Sequence, residues 1–146
     1  MAKREIKISI KAVLIGGVVD LFSSLVLNSM VSTYVAISNG LSDAKLEEMS
    51  VGVRNIIHQS PLLFAIVTAL GLGSSILGGY VAARVAGEYE VENAIAASLM
   101  FVGIGVYAVI IGGIESMPLE IFGIIVTPWF YRLGALARMR EKAIPK

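Results

Sequence analysis

The chain has 146 residues, of which 56% are hydrophobic and 16% are charged, and its formal net charge is +1. This composition is typical of a one-domain integral membrane protein, and the near-neutral charge gives no indication of a nucleic-acid partner. Because the sequence has no cysteine and a single histidine, His58, it excludes disulfides, thiolate chemistry and a multi-histidine metal centre, and we expect neither a metal nor a cofactor.

The first long apolar segment, residues 12–37, follows a basic N-terminal stretch and predicts a membrane-spanning helix. A secretory signal peptide has a shorter, uninterrupted apolar core and a cleavage site of small residues. This segment is long, contains Asp20 and ends without an A-x-A pattern. We therefore interpret it as a retained first transmembrane helix.

Residues 42–58 are polar overall, but their apolar side chains recur at helical spacing. Leu46, Met49 and Val53 share one face, and charged residues such as Arg54 lie on the other. This pattern predicts an amphipathic helix that lies on the membrane surface or docks on a partner.

Three further apolar segments predict the remaining membrane spans, at residues 62–83, 94–114 and 118–137. Asn93 stands where it would cap the third span. Pro128 is expected to kink the fourth span.

Four spans place both termini on the same side of the membrane. That side carries ten Lys and Arg residues, and the other side carries Lys45 and Arg54. Because cytoplasmic loops are enriched in Lys and Arg, we predict cytoplasmic N- and C-termini in a cell membrane. Trp129 and Tyr131 then suit an interfacial aromatic belt.

Two rows of small residues run along the second predicted span. The first row is Gly71, Ser75, Gly79 and Ala83, and the second is Gly78, Ala82 and Ala86. Small residues let helices approach closely enough for dispersion contacts to hold them together, although Gly and Ala are also common in membrane helices generally. We interpret the rows as a helix-packing face at the centre of the bundle, through which the protein also assembles.

The run GGYVAARVAG, from Gly78 to Gly87, is followed by Glu92, Asn93 and Ala94. This combination resembles a signature of small prokaryotic four-helix integral membrane proteins of unknown function. The resemblance implies a multi-pass fold and brings no activity or ligand with it.

A row of polar residues follows one face of the first predicted helix. Its members stand four residues apart: Asp20, Ser24, Asn28 and Ser32. Lipid does not tolerate such a face, so the row points into protein or water. An ionisable group within a span costs about 3 kcal/mol or more and marks a candidate functional site. By helical rise, Asp20 and Arg132 of the fourth span reach similar depths, so we predict an ion pair between them.

Asp20 has two interpretations at this point. As a proton or cation site, it would use the hydroxyls and Asn28 to complete a path. As a structural group paired with Arg132, it would fix the register of the helices.

The sequence thus predicts an all-α polytopic membrane protein, a bundle of four transmembrane helices with an amphipathic surface helix between the first two. Its short loops leave no room for a catalytic domain, and it carries no nucleotide-binding, nucleophile-elbow or metalloprotease motif. We expect a non-enzymatic structural or accessory subunit that forms a homo-oligomer or binds another membrane protein in the lipid bilayer. The alternative is a small oligomeric transporter or channel for protons or small cations, centred on Asp20.

Overall fold

In the part of the chain that the structure describes, five helices make up the regular structure. The computed structural model describes residues 7–112 and 117–144, and these ranges contain helices and their connections but no strand. In chain order the helices are α1 (Ile10–Ser38), α2 (Leu46–Gln59), α3 (Pro61–Ala86), α4 (Glu90–Gly112) and α5 (Met117–Ala143). The predicted all-α fold class is confirmed for this part of the chain.

Three helical segments in the described residues are long and apolar enough to cross a membrane: Ile10–Ser38, Pro61–Ala86 and Glu90–Tyr107. A hydrocarbon core about 30 Å thick needs about 20 such residues. Large apolar side chains on these helices, including Phe22 and Leu62, stay exposed, and exposed apolar surface on this scale indicates contact with lipid or protein. Length and composition therefore indicate a membrane protein.

Some helices extend beyond their predicted bounds. α4 begins at Glu90 rather than at residue 94, and α5 continues to Ala143 rather than ending at residue 137. Both extensions meet in one ion pair, because Lys142 Nζ lies 2.6 Å from Glu90 Oε1. The predicted end of the third span at residue 114 lies outside the described residues.

The chain divides into two compact units. The first comprises Met1–Leu21 and Gly73–Lys146, and the second comprises Phe22–Leu72. α1 and α3 each contribute residues to both units.

The core of the first unit consists of small residues packed around one aromatic ring. Tyr131 of α5 is completely buried, and the residues packed with it are Ala82 and Ala83 of α3, Ala94 and Ala97 of α4, and Ala135 of α5. Such small side chains bring the helix backbones close together, so much of the contact is made by backbone atoms and by the tyrosine ring.

In the second unit, α1 ends in a Schellman motif built on Gly40. Gly40 has a φ of 69°, a left-handed conformation that glycine adopts without steric cost. The Leu41 N–H donates to the Ala36 carbonyl at 2.8 Å, and the Gly40 N–H donates to the Ile37 carbonyl at 3.2 Å. These two bonds define the motif and satisfy carbonyls at the helix end.

The apolar face of α2 is covered by protein within the second unit. Val53 is buried with Val35 and Ala36 of α1, and the partly buried residues around them are Val31, Leu41, Met49, Ile56, Ile57 and Leu63. The face predicted to lie on a membrane surface or a partner thus contacts α1 and α3 of the same unit. Leu46 and Val51 remain exposed.

Candidate functional site

Asp20 lies on the buried face of α1. Ala12, Gly16 and Asp20 follow one another at intervals of four residues, and all three are buried, Asp20 with 0% exposure. The Oγ of Ser75 in α3 donates a hydrogen bond to Asp20 Oδ2 at 3.2 Å. A buried hydrogen bond therefore joins α1 to α3.

Tyr131 of α5 reaches the same place. Its hydroxyl interacts with the Asp20 carboxyl group, and the two groups flank Gly78. A Cβ added at Gly78 would lie 2.8 Å from Asp20 Cβ and 3.1 Å from Tyr131 Oη. Within the described chain no partner meets full hydrogen-bond geometry with this hydroxyl, so its interaction with Asp20 is electrostatic rather than a complete hydrogen bond. We call Asp20, Ser75 and Tyr131 the polar cluster.

The rest of the predicted polar row continues along α1 in the second unit. Ser24 is buried there, and Asn28 and Ser32 are half-buried. Phe22 and Leu25, on other faces of the same helix, are exposed. The row therefore occupies the less exposed side of α1.

Asp20 and Arg132 are not brought together. The ion pairs of the described residues join Arg138 to Glu141 and Lys142 to Glu90. Arg132 is exposed, and its guanidinium carbon lies 5.7 Å from the centre of the Trp129 ring. Successive residues of a helix point about 100° apart, so α5 presents Tyr131 to Asp20 and turns the next residue away.

The two rows of small residues on α3 face two different helices of the same chain. Toward α1, a Cβ added at Gly16 would lie 2.6 Å from Ala82 Cβ and 2.9 Å from the Gly78 carbonyl oxygen. Toward α5, a Cβ added at Gly79 would overlap the backbone of Tyr131. Part of each row thus serves packing inside the first unit.

The other residues of the two rows differ in burial. Ser75, Ala82 and Ala83 are buried, whereas Gly71 is half-buried and belongs to the second unit. A Cβ added at Gly71 would meet no atom within 4 Å. The close approach is therefore confined to the C-terminal half of α3.

Asn93 forms a junction that the sequence pattern did not predict. Its Oδ1 accepts a 2.7 Å hydrogen bond from the Ser9 N–H, and its Nδ2 donates to the carbonyls of Lys7, Glu88 and Tyr89 at 3.4, 3.3 and 2.9 Å. Asn93 lies inside the first turn of α4 rather than capping it. Its position next to a helix start was the available signal in the sequence, but two of its partners, Ser9 and Lys7, lie more than eighty residues away.

A second polar network joins the C-terminal ends of α3 and α5. Tyr80 Oη donates to Glu141 Oε2 at 2.6 Å, and Arg138 Nη1 donates to the same oxygen at 2.8 Å. The hydrogen bonds from Tyr80 and Arg138 hold the pKa of the Glu141 carboxyl below its usual range. Lys142 Nζ also donates to the Gly87 carbonyl at 3.0 Å.

The single histidine, His58, contacts an aromatic neighbour. Its ring lies 5.9 Å from that of Phe64 in a tilted contact. Nowhere in residues 7–112 and 117–144 do three or more His, Asp or Glu side chains gather so that they could hold a metal ion.

Comparisons with protein-family models, with curated proteins and with solved structures find no match to this chain.

Proposed function

We propose that the chain is a non-enzymatic integral membrane protein of four transmembrane helices that serves as a structural or accessory subunit of a larger membrane assembly. The observation that carries this proposal is the burial of the polar cluster. Asp20, Ser75 and Tyr131 are all buried, so the ionisable group of α1 is enclosed by protein. An enclosed polar group that bonds across helices supports helix register rather than flux.

α5 supplies the fourth span in this proposal. Its 27 residues extend about 40 Å, more than the hydrocarbon core requires. Its outward side chains include Phe122, Ile125 and Leu133, which are exposed and suit contact with lipid. Its inward face packs on α3 so closely that a Cβ added at Gly79 or Gly134 would overlap backbone atoms.

Because four is an even number of spans, both termini lie on the same side of the membrane in this proposal. Both termini and the connection between α3 and α4 lie on the side that carries ten of the twelve Lys and Arg residues, which favours a cytoplasmic position for that side in a cell membrane. α2 is then extracytoplasmic. The chain has no cysteine, so single-cysteine variants at Ser50 and Ala143, labelled with a membrane-impermeant maleimide in intact cells, test this topology. Labelling of Ala143→Cys before lysis would contradict it.

Assembly uses surfaces other than the inner face of α3. Gly78, Gly79 and Ala82 already contact α1 or α5 of the same chain. By contrast, a Cβ added at Gly73 or Gly103 would meet no atom within 4 Å, so these positions leave room for a helix of a homo-oligomer or of another membrane protein.

Native mass spectrometry of the protein, extracted gently from its own membrane, tests the proposal. A fixed-ratio complex with a different protein would support an accessory subunit and identify its partner. A homo-oligomer without other proteins would favour the second candidate described next.

The second candidate function is an oligomeric transporter or channel for protons or small cations that uses Asp20. It is favoured by the position of Asp20, a buried carboxyl group inside an apolar helix with the hydroxyls of Ser75 and Tyr131 beside it. Buried ionisable groups in membrane helices commonly mark ion pathways. Proteoliposomes with Asp20→Asn separate the two candidates, because a transporter loses flux in a folded protein and a structural subunit has no flux to lose.

A further inference from the structure

The outward face of α5 combines apolar side chains with two arginines. Ile125, Trp129 and Leu136 stand on this face and are exposed, Trp129 by 61%. Arg132 and Arg140 are exposed as well, and their spacing from Trp129 places them on the same side of the helix. The acidic residue of the last turns, Glu141, points elsewhere and bonds to Tyr80 and Arg138.

Arg132 leans along the helix toward Trp129. Its guanidinium carbon lies 5.7 Å from the centre of the indole ring, within the range of a cation–π contact. Trp129 lies nearer the N-terminus of α5, the direction in which helical side chains normally lean. In the part of the chain that the structure describes, ion pairs use Arg138 and Lys142 and not Arg132.

The register of α5 on α3 gives the depth of Arg132. The backbone of Tyr131 lies against Gly79, and Gly79 stands seven residues before the end of α3 at Ala86. Seven residues of helix correspond to about 10 Å. Arg132 therefore lies about 10 Å inside the end of α3, where an exposed guanidinium without a counter-ion is costly in a membrane.

We propose that Arg132, stacked on Trp129, binds the phosphate group of an anionic phospholipid, with Arg140 supplying a second positive charge nearer the membrane surface. The guanidinium fork matches a phosphate group and can donate two hydrogen bonds to it. The exposed apolar side chains that continue toward Ile125 provide a surface for an acyl chain. A phospholipid is the ligand whose charge and apolar tail match both parts of this face. The inference rests on the proposed four-span fold, in which α5 faces lipid.

Native mass spectrometry with equal amounts of phosphatidylglycerol and phosphatidylcholine tests the site. The wild-type protein should retain phosphatidylglycerol preferentially. Arg132→Ala should lower that retention about fivefold, the effect expected for one cationic side chain near an anionic surface. Arg132→Lys should fall between the two, because it keeps the charge and loses the fork.

Arg54→Ala is the matched control, since it removes an exposed arginine from α2 in the second unit. It should retain as much phosphatidylglycerol as the wild type. Equal retention by wild type and Arg132→Ala, or an equal loss in Arg54→Ala, would overturn the proposal. The ratio of protein chains in the same spectra tests the proposed subunit role separately, so either idea can fail alone.

Discussion

The Cα of Gly79 in α3 lies against the backbone of Tyr131 in α5, and no space remains between them for a β-carbon. Gly134, one turn further along α5, packs equally closely on the backbone of Ile76 and Tyr80. Because the two glycines stand on facing helices, α3 and α5 approach at a distance that larger residues would prevent. This approach places the Tyr131 hydroxyl beside Asp20.

Gly79→Ala should destabilise the protein by about 1–3 kcal/mol, the usual cost of adding volume to a tightly packed core. Thermal unfolding in detergent, followed by circular dichroism, measures the change. Gly71→Ala is the control: it stands on the same helix, and a Cβ there would meet no atom within 4 Å. It should be neutral or stabilising by up to about 1 kcal/mol, the gain in helix propensity. Equal effects of the two substitutions would contradict the close contact.

A double-mutant cycle measures the coupling between Asp20 and Tyr131. Because Asp20 and the Tyr131 hydroxyl both lie beside Gly78 and interact electrostatically, the losses in Asp20→Asn and Tyr131→Phe should not add, and the coupling energy should reach about 0.5 kcal/mol or more. Tyr107→Phe removes the hydroxyl of an exposed tyrosine and should be additive with Asp20→Asn. Additivity in both cycles would show that the Tyr131 hydroxyl contributes nothing through Asp20.

Asn93→Leu keeps the size of a buried side chain and removes its hydrogen bonds to Ser9 and Lys7. Leaving a buried donor without a partner costs about 1–3 kcal/mol, and the partly buried Ser9 N–H should cost an amount near the lower end. We expect that loss of stability together with faster hydrogen exchange at the Ser9 amide. Asn39→Leu provides the comparison, because exposed Asn39 makes one side-chain bond, to the Val35 carbonyl. Unchanged hydrogen exchange at the Ser9 amide would refute the role of Asn93 in holding the segment before α1 against α4.

Glu141 should make stability depend on pH in the acidic range. Its pKa in the folded protein lies below the ordinary value of 4.5, because Tyr80 and Arg138 donate hydrogen bonds to it. A lowered pKa stabilises the fold above the unfolded-state pKa, and this contribution is lost as the pH falls through the folded-state value. The melting temperature of Glu141→Gln should therefore fall less than that of the wild type on acidification below pH 4.5. Glu92→Gln, in the first turn of α4, should behave like the wild type.

The helices follow from the sequence because apolar runs of this length have few alternatives in a membrane. Their contacts follow less directly. Helical rise gave Arg132 a depth similar to that of Asp20, but rise alone leaves the rotation of α5 undefined. Rotation is set by Gly79 and Gly134, which admit only one face of α5 to α3. Tyr131, rather than Arg132, therefore meets Asp20.

The sequence pattern also did not predict the long-range polar contacts. Asn93 fits the position of a helix cap in the sequence, yet its amide bonds to a segment more than eighty residues earlier in the chain. Periodicity describes neighbours on one helix and carries no information on such partners. The same holds for α2, whose amphipathic pattern is equally compatible with lipid, a partner, or the protein surface it covers.

The distance along the chain between Asp20 and its neighbours also sets an order of events during synthesis. Ser75 follows Asp20 by 55 residues, and Tyr131 lies in the last helix. When α1 first enters the bilayer, neither residue has left the ribosome. Asp20 then costs about 3 kcal/mol at the centre of a lone helix, so α1 is held most easily beside the insertion machinery until α3 arrives. A ribosome that stalls before α3 would leave a nascent chain whose first helix is held less firmly in the membrane than in the finished protein.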